Sequence, residues 1–289
     1  MSEISTWYGT EVRTPGAWER CKREVKDALR WASGRAASLA EAPVFVLGHQ
    51  KSGTSAIAAL LGEVSGLPAT VDLQREVHKP SYLELSSGRT TFERFVQRNR
   101  LDFSRPIIKE ANLTPYREEL VRCFPGARFV FVVRDPRDNI RSILNRLDVR
   151  GDLDELQPGD PLLPNPGWRL ILRPGWLEIE GRNYVERLAA RWVRFAHTYW
   201  EAPGQFELIR YEDFMASKAA VIEDLARRLG LPTLRDISSR VDVQYQPRGN
   251  KGVDWLEFFG KRNLAWIDQR CSGWLERFGY RPFPHGHRE

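Results

Sequence analysis

Eight residues, Gly48-His-Gln-Lys-Ser-Gly-Thr-Ser55, bring together two glycines, one lysine and three hydroxyls. Lysine supplies a cation, and the hydroxyls and a glycine-loosened backbone supply donors. That combination suits a phosphate. A second anion-binding pair lies further on. Arg134 is followed eight residues later by Ser142, two turns into a helix that Asp135-Pro136 opens. A guanidinium and a hydroxyl so spaced could share a phosphate oxygen. Equally, Arg134 could pair with Asp138 and leave Ser142 to solvent.

The first run is close to the phosphate-loop pattern G-x-x-x-x-G-K-[ST], with one displacement. Gly48, Gly53 and Ser55 fit, but Thr54 holds the lysine position and the cation has moved to Lys51. In nucleotide triphosphatases the motif lysine reaches the β/γ-phosphates and the adjacent hydroxyl holds Mg²⁺. A lysine inside the loop suits one phosphate plus a short anionic group, with no demand for a metal.

The elements that must position these residues are legible around them. Val44 to Leu47 is a short apolar run, read as a buried strand. Ala56, Ile57, Leu60, Leu61 and Val64 follow the loop at helical spacing. Arg128 to Val133 is apolar without alternation, as expected of a central parallel strand, and it delivers Arg134. Ligands of open α/β sheets bind beyond the carboxyl ends of their strands. Ile107-Ile108 and Phe206 to Arg210 read as further strands. Helices are expected from Thr114-Pro115 to about Cys123, over 182–200, after Ser217, and over 261–278. Thr14-Pro15 opens an N-terminal helix, about 15–40. Thr70 to Arg100 shows no clear period. Residues 148–181, rich in Pro and Gly and carrying Trp168 and Trp176, read as a long loop or lid. The chain is expected to be α/β, a single domain over 1–289 with a central parallel sheet flanked by helices.

Composition narrows the function. With 289 residues, 42% of them hydrophobic, the chain can bury a substantial core, and no apolar run has membrane-spanning length. The polar stretch Met1 to Arg13 lacks a signal peptide's apolar centre. Cys21, Cys123 and Cys271 are scattered and odd in number, which argues against a disulfide framework or zinc cluster and fits a reducing cytoplasm. The net charge of +6 suits anionic ligands, but no basic run with interleaved aromatics marks a nucleic-acid face.

Taken together, these motifs resemble those of the sulfotransferases that use 3′-phosphoadenylyl sulfate (PAPS). Lys51-Ser52-Gly53-Thr54-Ser55, with Gln50 before it, is similar to their 5′-phosphosulfate loop. Arg134 and Ser142 resemble the 3′-phosphate site. Tyr211-Glu212-Asp213 is similar to a Tyr-Glu-Asp after a later strand. Arg248-Gly-Asn-Lys-Gly-Val-Asp-Trp255 resembles the C-terminal loop over the 3′-phosphate, with Lys251 and Gly252 matching better than Arg248, which comes two residues early. The resemblance spans about residues 43–280. It implies a single α/β domain related to nucleotide kinases (a P-loop NTPase-like fold), PAPS as co-substrate, adenosine 3′,5′-bisphosphate (PAP) as product, and no metal. Ala56 stands where many cytosolic members have a tryptophan near the adenine, so Tyr211 becomes the candidate for stacking.

The same resemblance bears on catalysis. Cytosolic members carry a histidine shortly after a lysine on the strand matching Ile107-Ile108. Here Lys109 is followed by Glu110, Ala111 and Asn112. Glu76-Val77-His78 instead resembles the Glu-Val-His of glycosaminoglycan sulfotransferases, whose glutamate is the base, with Lys109 as their second active-site lysine. Glu76 is therefore the expected base, His78 its alternative, and Lys51 the cation on the bridging oxygen. The implied reaction is O-sulfation of a small molecule, natural product or saccharide, possible as a homodimer and without nucleic acid or a membrane span. A small-molecule kinase and a non-catalytic nucleotide-binding protein are the rival readings.

Overall fold

The computed structural model describes residues 36–157, 166–243 and 254–282, together with Trp18, Val25 and Gly34. Five strands form one parallel sheet: β1 (Val44–Gly48), β2 (Ala69–Val71), β3 (Ile107–Lys109), β4 (Arg128–Val133) and β5 (Phe206–Arg210), in the spatial order β2-β3-β1-β4-β5. β1 and β4 lie centrally, in register from Val44 opposite Arg128 to Gly48 opposite Val132.

Both faces of these strands are covered, which is why their sequences do not alternate. Phe45, Leu47, Phe129, Phe131 and Val133 point to one face, Val44, Val46, Val130 and Val132 to the other. The principal helices are α1 (Thr54–Ser65), α2 (Gln74–His78), α3 (Pro136–Arg146), α4 (Tyr184–Glu201), α5 (Tyr211–Ala216), α6 (Lys218–Arg228) and α7 (Trp255–Leu275). Ile57, Leu60, Leu61 and Val64 of α1 join Ile222 and Leu225 of α6 on the second face. Trp192 and Tyr199 of α4 and Ile267 and Cys271 of α7 close the first. Phe131 stacks on Tyr199 with ring centroids 5.2 Å apart.

Two expectations change. Within 148–181, residues 166–172 form a helix and 175–177 a 3₁₀ turn. Leu170, Ile171, Leu172 and Trp176 are buried in the main core, and the Trp176 indole N–H donates to the Leu170 carbonyl at 2.9 Å. This part is therefore packed structure and not a lid; apolar side chains hidden among prolines overrode the loop-like composition. The C-terminal helix starts earlier than expected, at Trp255, and is kinked at Gly260, whose φ is +66°. The 15–40 helix lies largely outside the described residues, as do Arg248, Lys251 and Gly252. No described helix is long and apolar enough to cross a membrane.

Candidate active site

The anion-binding motifs converge at the carboxyl ends of β1 and β4. β1 reaches the loop through Gly48, where φ is +115° and an added Cβ would lie 2.2 Å from the Val132 carbonyl oxygen. Only glycine lets the two strands meet there. Lys51 (φ +65°) and Gly53 (φ +85°) are both left-handed, and turns of this kind build anion-binding concavities. Gly53 leads into α1 without a side-chain cap, so the first N–H groups of that helix and its positive dipole end face the loop. Thr54 and Ser55 are buried in the first turn.

The β4–α3 corner grips the loop. The Arg134 guanidinium donates from Nη1 to the Lys51 carbonyl at 2.9 Å. Asn139 donates from Nδ2 to the Gln50 carbonyl at 2.6 Å and to Ser52 Oγ at 3.0 Å. Asp135 caps α3 by accepting from the Arg137 N–H, with Pro136 at the first helical position. Asp138 is engaged by Arg141 at 2.6 Å and by the Trp255 indole at 2.8 Å, so it is Arg141, and not Arg134, that pairs with it. Asn139, Ser142 and Arg146 follow one another at intervals of three and four, along one face of α3. Asn139 touches the loop, and the Arg146 charge acts on Lys51. Ser142, half-buried, lies between them.

Lys51 sits among cations. Burial, followed by the charges of Arg146, Arg134 and Lys109, lowers its pKa from 10.5 to about 8. Arg134 also keeps a buried Nε with no partner among the described residues. Concentrated like charge and an unsatisfied guanidinium N–H make a site that an anion would relieve.

Two expected ligand contacts are taken up by the scaffold. The Gln50 side chain accepts from buried Arg191 at 2.6 Å and donates to Asn112 at 2.8 Å, so it braces the loop from beneath. Tyr211 lies under the Arg134 guanidinium, 4.4 Å from ring centroid to Cζ, and an added Cβ on Gly53 would stand 2.8 Å from its ring. Its ring props the arginine and the loop. Ser52 is fully buried, and its hydroxyl meets Asn139. His49, beside the loop, is stacked on Trp192 at 5.1 Å and donates from Nε2 to that residue's carbonyl; burial pulls its pKa to about 3, so it stays neutral.

The residues expected to handle the proton lie around the ends of β2 and β3. Lys109 is buried and forms an ion pair with Asp72, whose backbone N–H donates to the Lys109 carbonyl at 2.9 Å. Glu110 accepts from the backbone N–H groups of Leu73 and Asn112, and burial, then the Asp72 charge, raises its pKa to about 7. Glu76 is enclosed by donors. Its carboxylate accepts from the Ser81 N–H at 2.6 Å, the Ser81 hydroxyl at 2.9 Å, Asn99 Nδ2 at 3.0 Å and Arg75 at 3.0 Å, and its side chain is only 2% exposed. A carboxylate so saturated anchors the segment after β2. The expected proton acceptor Glu76 is thus held by four donors, from Ser81, Asn99 and Arg75. The backbone of His78 closes α2, and its side chain lies outside the described residues.

No family model and no curated protein matches this chain. Solved structures do. It is similar to the sulfotransferase STF9 from Mycobacterium avium, with 12% identity over 97% of this chain and 93% of that one and a TM-score of 0.57. It is also similar to the sulfotransferase STF1 from Mycobacterium tuberculosis H37Rv, with 14% identity over 86% and 81% and a TM-score of 0.51. The chain has the sulfotransferase fold.

On this fold the sequence motifs at Lys51 and Arg134 are neighbours, as their placement after β1 and β4 implied. Four contributors escaped sequence reasoning: Asn139, Arg146, Arg191 and Asp72. The first two carried a signal, their helical spacing with Ser142. Arg191 and Asp72 carried none, because their partners are 141 and 37 residues away.

Proposed function

We propose that this protein moves a sulfuryl group from PAPS to a hydroxyl of a small molecule, natural product or saccharide. One observation carries the reading: the lysine of the left-handed loop and the arginine ending β4 are joined by a 2.9 Å hydrogen bond within a cluster of cations. The sulfotransferase fold supports it. PAPS supplies the sulfuryl group and, as PAP, leaves with the electron pair of the broken sulfur–oxygen bond. Lys51 holds its proton at Nζ and places positive charge where that pair accumulates. The N-terminus of α1, with Thr54 and Ser55, surrounds the 5′-phosphosulfate. Arg134 and Ser142, with Arg248, Lys251 and Gly252, bind the 3′-phosphate. Lys109 sets a second cation beside the sulfuryl group. Pinning the loop to α3 fixes these donors before the ligand arrives, so little reorganisation is left for the transfer step.

The test is calorimetry with PAP against ATP–Mg²⁺, followed by a labelled-PAPS screen over alcohols, saccharides and phenols. PAP binding and a sulfated product are expected. Preference for ATP–Mg²⁺, or PAP binding without transfer to any acceptor in the screen, would replace this reading by that of a kinase or a non-catalytic nucleotide-binding protein.

A further inference from the structure

We propose that Asp72 is the group that takes the acceptor's proton, an inference that rests on the sulfuryl-transfer reading above. Asp72 follows β2 directly, at the carboxyl edge of the sheet where ligands of this architecture bind. It is one of four non-glycine residues with positive φ among the described residues, at +62°, and Lys51 is another, at +65°. Strained conformations of this kind persist where the surroundings over-determine them, and they cluster at functional sites. Here both ends of the cation–carboxylate set are so held.

The charges connect. Asp72 is ion-paired to Lys109, and the Lys109 charge is one of those acting on Lys51. A carboxylate here stands one cation away from the loop lysine. The competing groups are committed elsewhere. Glu76 is saturated by Ser81, Asn99 and Arg75. Both oxygens of Glu110 accept backbone N–H groups. His49 is buried and fixed on the Trp192 carbonyl. The Asp72 side chain is 13% exposed against 2% for Glu76, the more open of the two carboxylates.

In the proposed step the acceptor oxygen bonds to sulfur while its proton passes to an Asp72 carboxylate oxygen. The bond from sulfur to the phosphate oxygen breaks, and its electron pair stays on the 5′-phosphate of PAP under the Lys51 charge. Asp72 returns the proton to solvent after the products leave. No oxidant, reductant or metal enters the balance.

The experiment compares wild type, Asp72→Asn, Asp72→Gly and Glu76→Gln. PAP binding is measured by calorimetry at low salt, and transfer from labelled PAPS to a primary alcohol, a monosaccharide and a phenol. Asn and Gly both tolerate a left-handed backbone, so a variant that melts early has a substitute. Loss of the Asp72 charge releases Lys109 from its counter-ion. Both Asp72 variants should therefore bind PAP about 2–5-fold more tightly, yet transfer at least about 100-fold more slowly. Formate should restore part of the rate to Asp72→Gly and none to Glu76→Gln. A purely structural aspartate would lower rate and affinity together and would not respond to formate; that outcome overturns the proposal, as does transfer within about threefold of wild type. Wild type that binds no PAP and transfers nothing would instead reject the sulfuryl-transfer reading, and this inference with it.

Discussion

Lys51 should destabilise the ligand-free protein, and removing its charge should stabilise it. Burial and the neighbouring cations Arg146, Arg134 and Lys109 bring its pKa from 10.5 to about 8. At about 1.4 kcal/mol per pH unit, holding the charge at pH 7 costs the fold about 3 kcal/mol. Lys51→Met keeps the length of the side chain and the same left-handed backbone, so conformational strain cancels in the comparison. The variant should gain about 1–3 kcal/mol at pH 7 in urea unfolding, the lower end allowing for relaxation around the charged lysine. The gain has a defined pH dependence. Below pH 8 folded and unfolded chains both hold the lysine proton, and the full cost is present. Between about pH 8 and 10.5 the unfolded chain holds it and the folded chain does not, so wild-type stability rises with pH and the difference closes. PAP should raise the melting temperature of wild type and leave that of Lys51→Met nearly unmoved. A less stable Lys51→Met, or a stability difference constant from pH 7 to pH 10.5, would refute the cation-cluster account of this loop.

Three other outcomes are expected. Arg134→Ala removes the donor to the Lys51 carbonyl as well as a charge on the nucleotide, at about 1.5–3 kcal/mol; calorimetry should show PAP binding weakened about 10–100-fold. Glu76→Ala strands the donors of Ser81, Asn99 and Arg75, so its urea midpoint should report a loss of about 2–4 kcal/mol, while PAP affinity stays close to wild type. Gly48→Ala sets a Cβ against the Val132 carbonyl at a φ that side chains avoid; a loss of about 3 kcal/mol or more is expected in the melting curve, and near wild-type stability would contradict the β1–β4 approach.

Much of the frame was legible because strong local patterns coincide with tertiary roles. The unbroken apolar run of Phe129 to Val133 is buried on both faces of the sheet, and the Asp135-Pro136 start fixed where α3 begins. The segment 70–100 was not legible. β2 has three residues and the helices after it four to seven, each too short for a period to emerge. The proline-rich 148–181 stretch misled for a related reason: composition reports turns, while the burial of Trp176 and its neighbours depends on a core assembled from distant parts of the chain.

What the chain determines by itself is the chemistry on offer: a lysine held between two glycines, an arginine at the end of an apolar strand, and hydroxyls in the right order. Such features are local, since a loop's conformation and a strand's burial follow from neighbouring residue types. The tertiary structure decided the surroundings of each carboxylate. Glu76 and Asp72 are four residues apart and equally acidic as letters. Folding surrounds the first with Ser81, Asn99 and Arg75 and sets the second against Lys109 from another strand. Which donors and cations surround a carboxylate is a property of three-dimensional neighbours, which sequence separation does not encode.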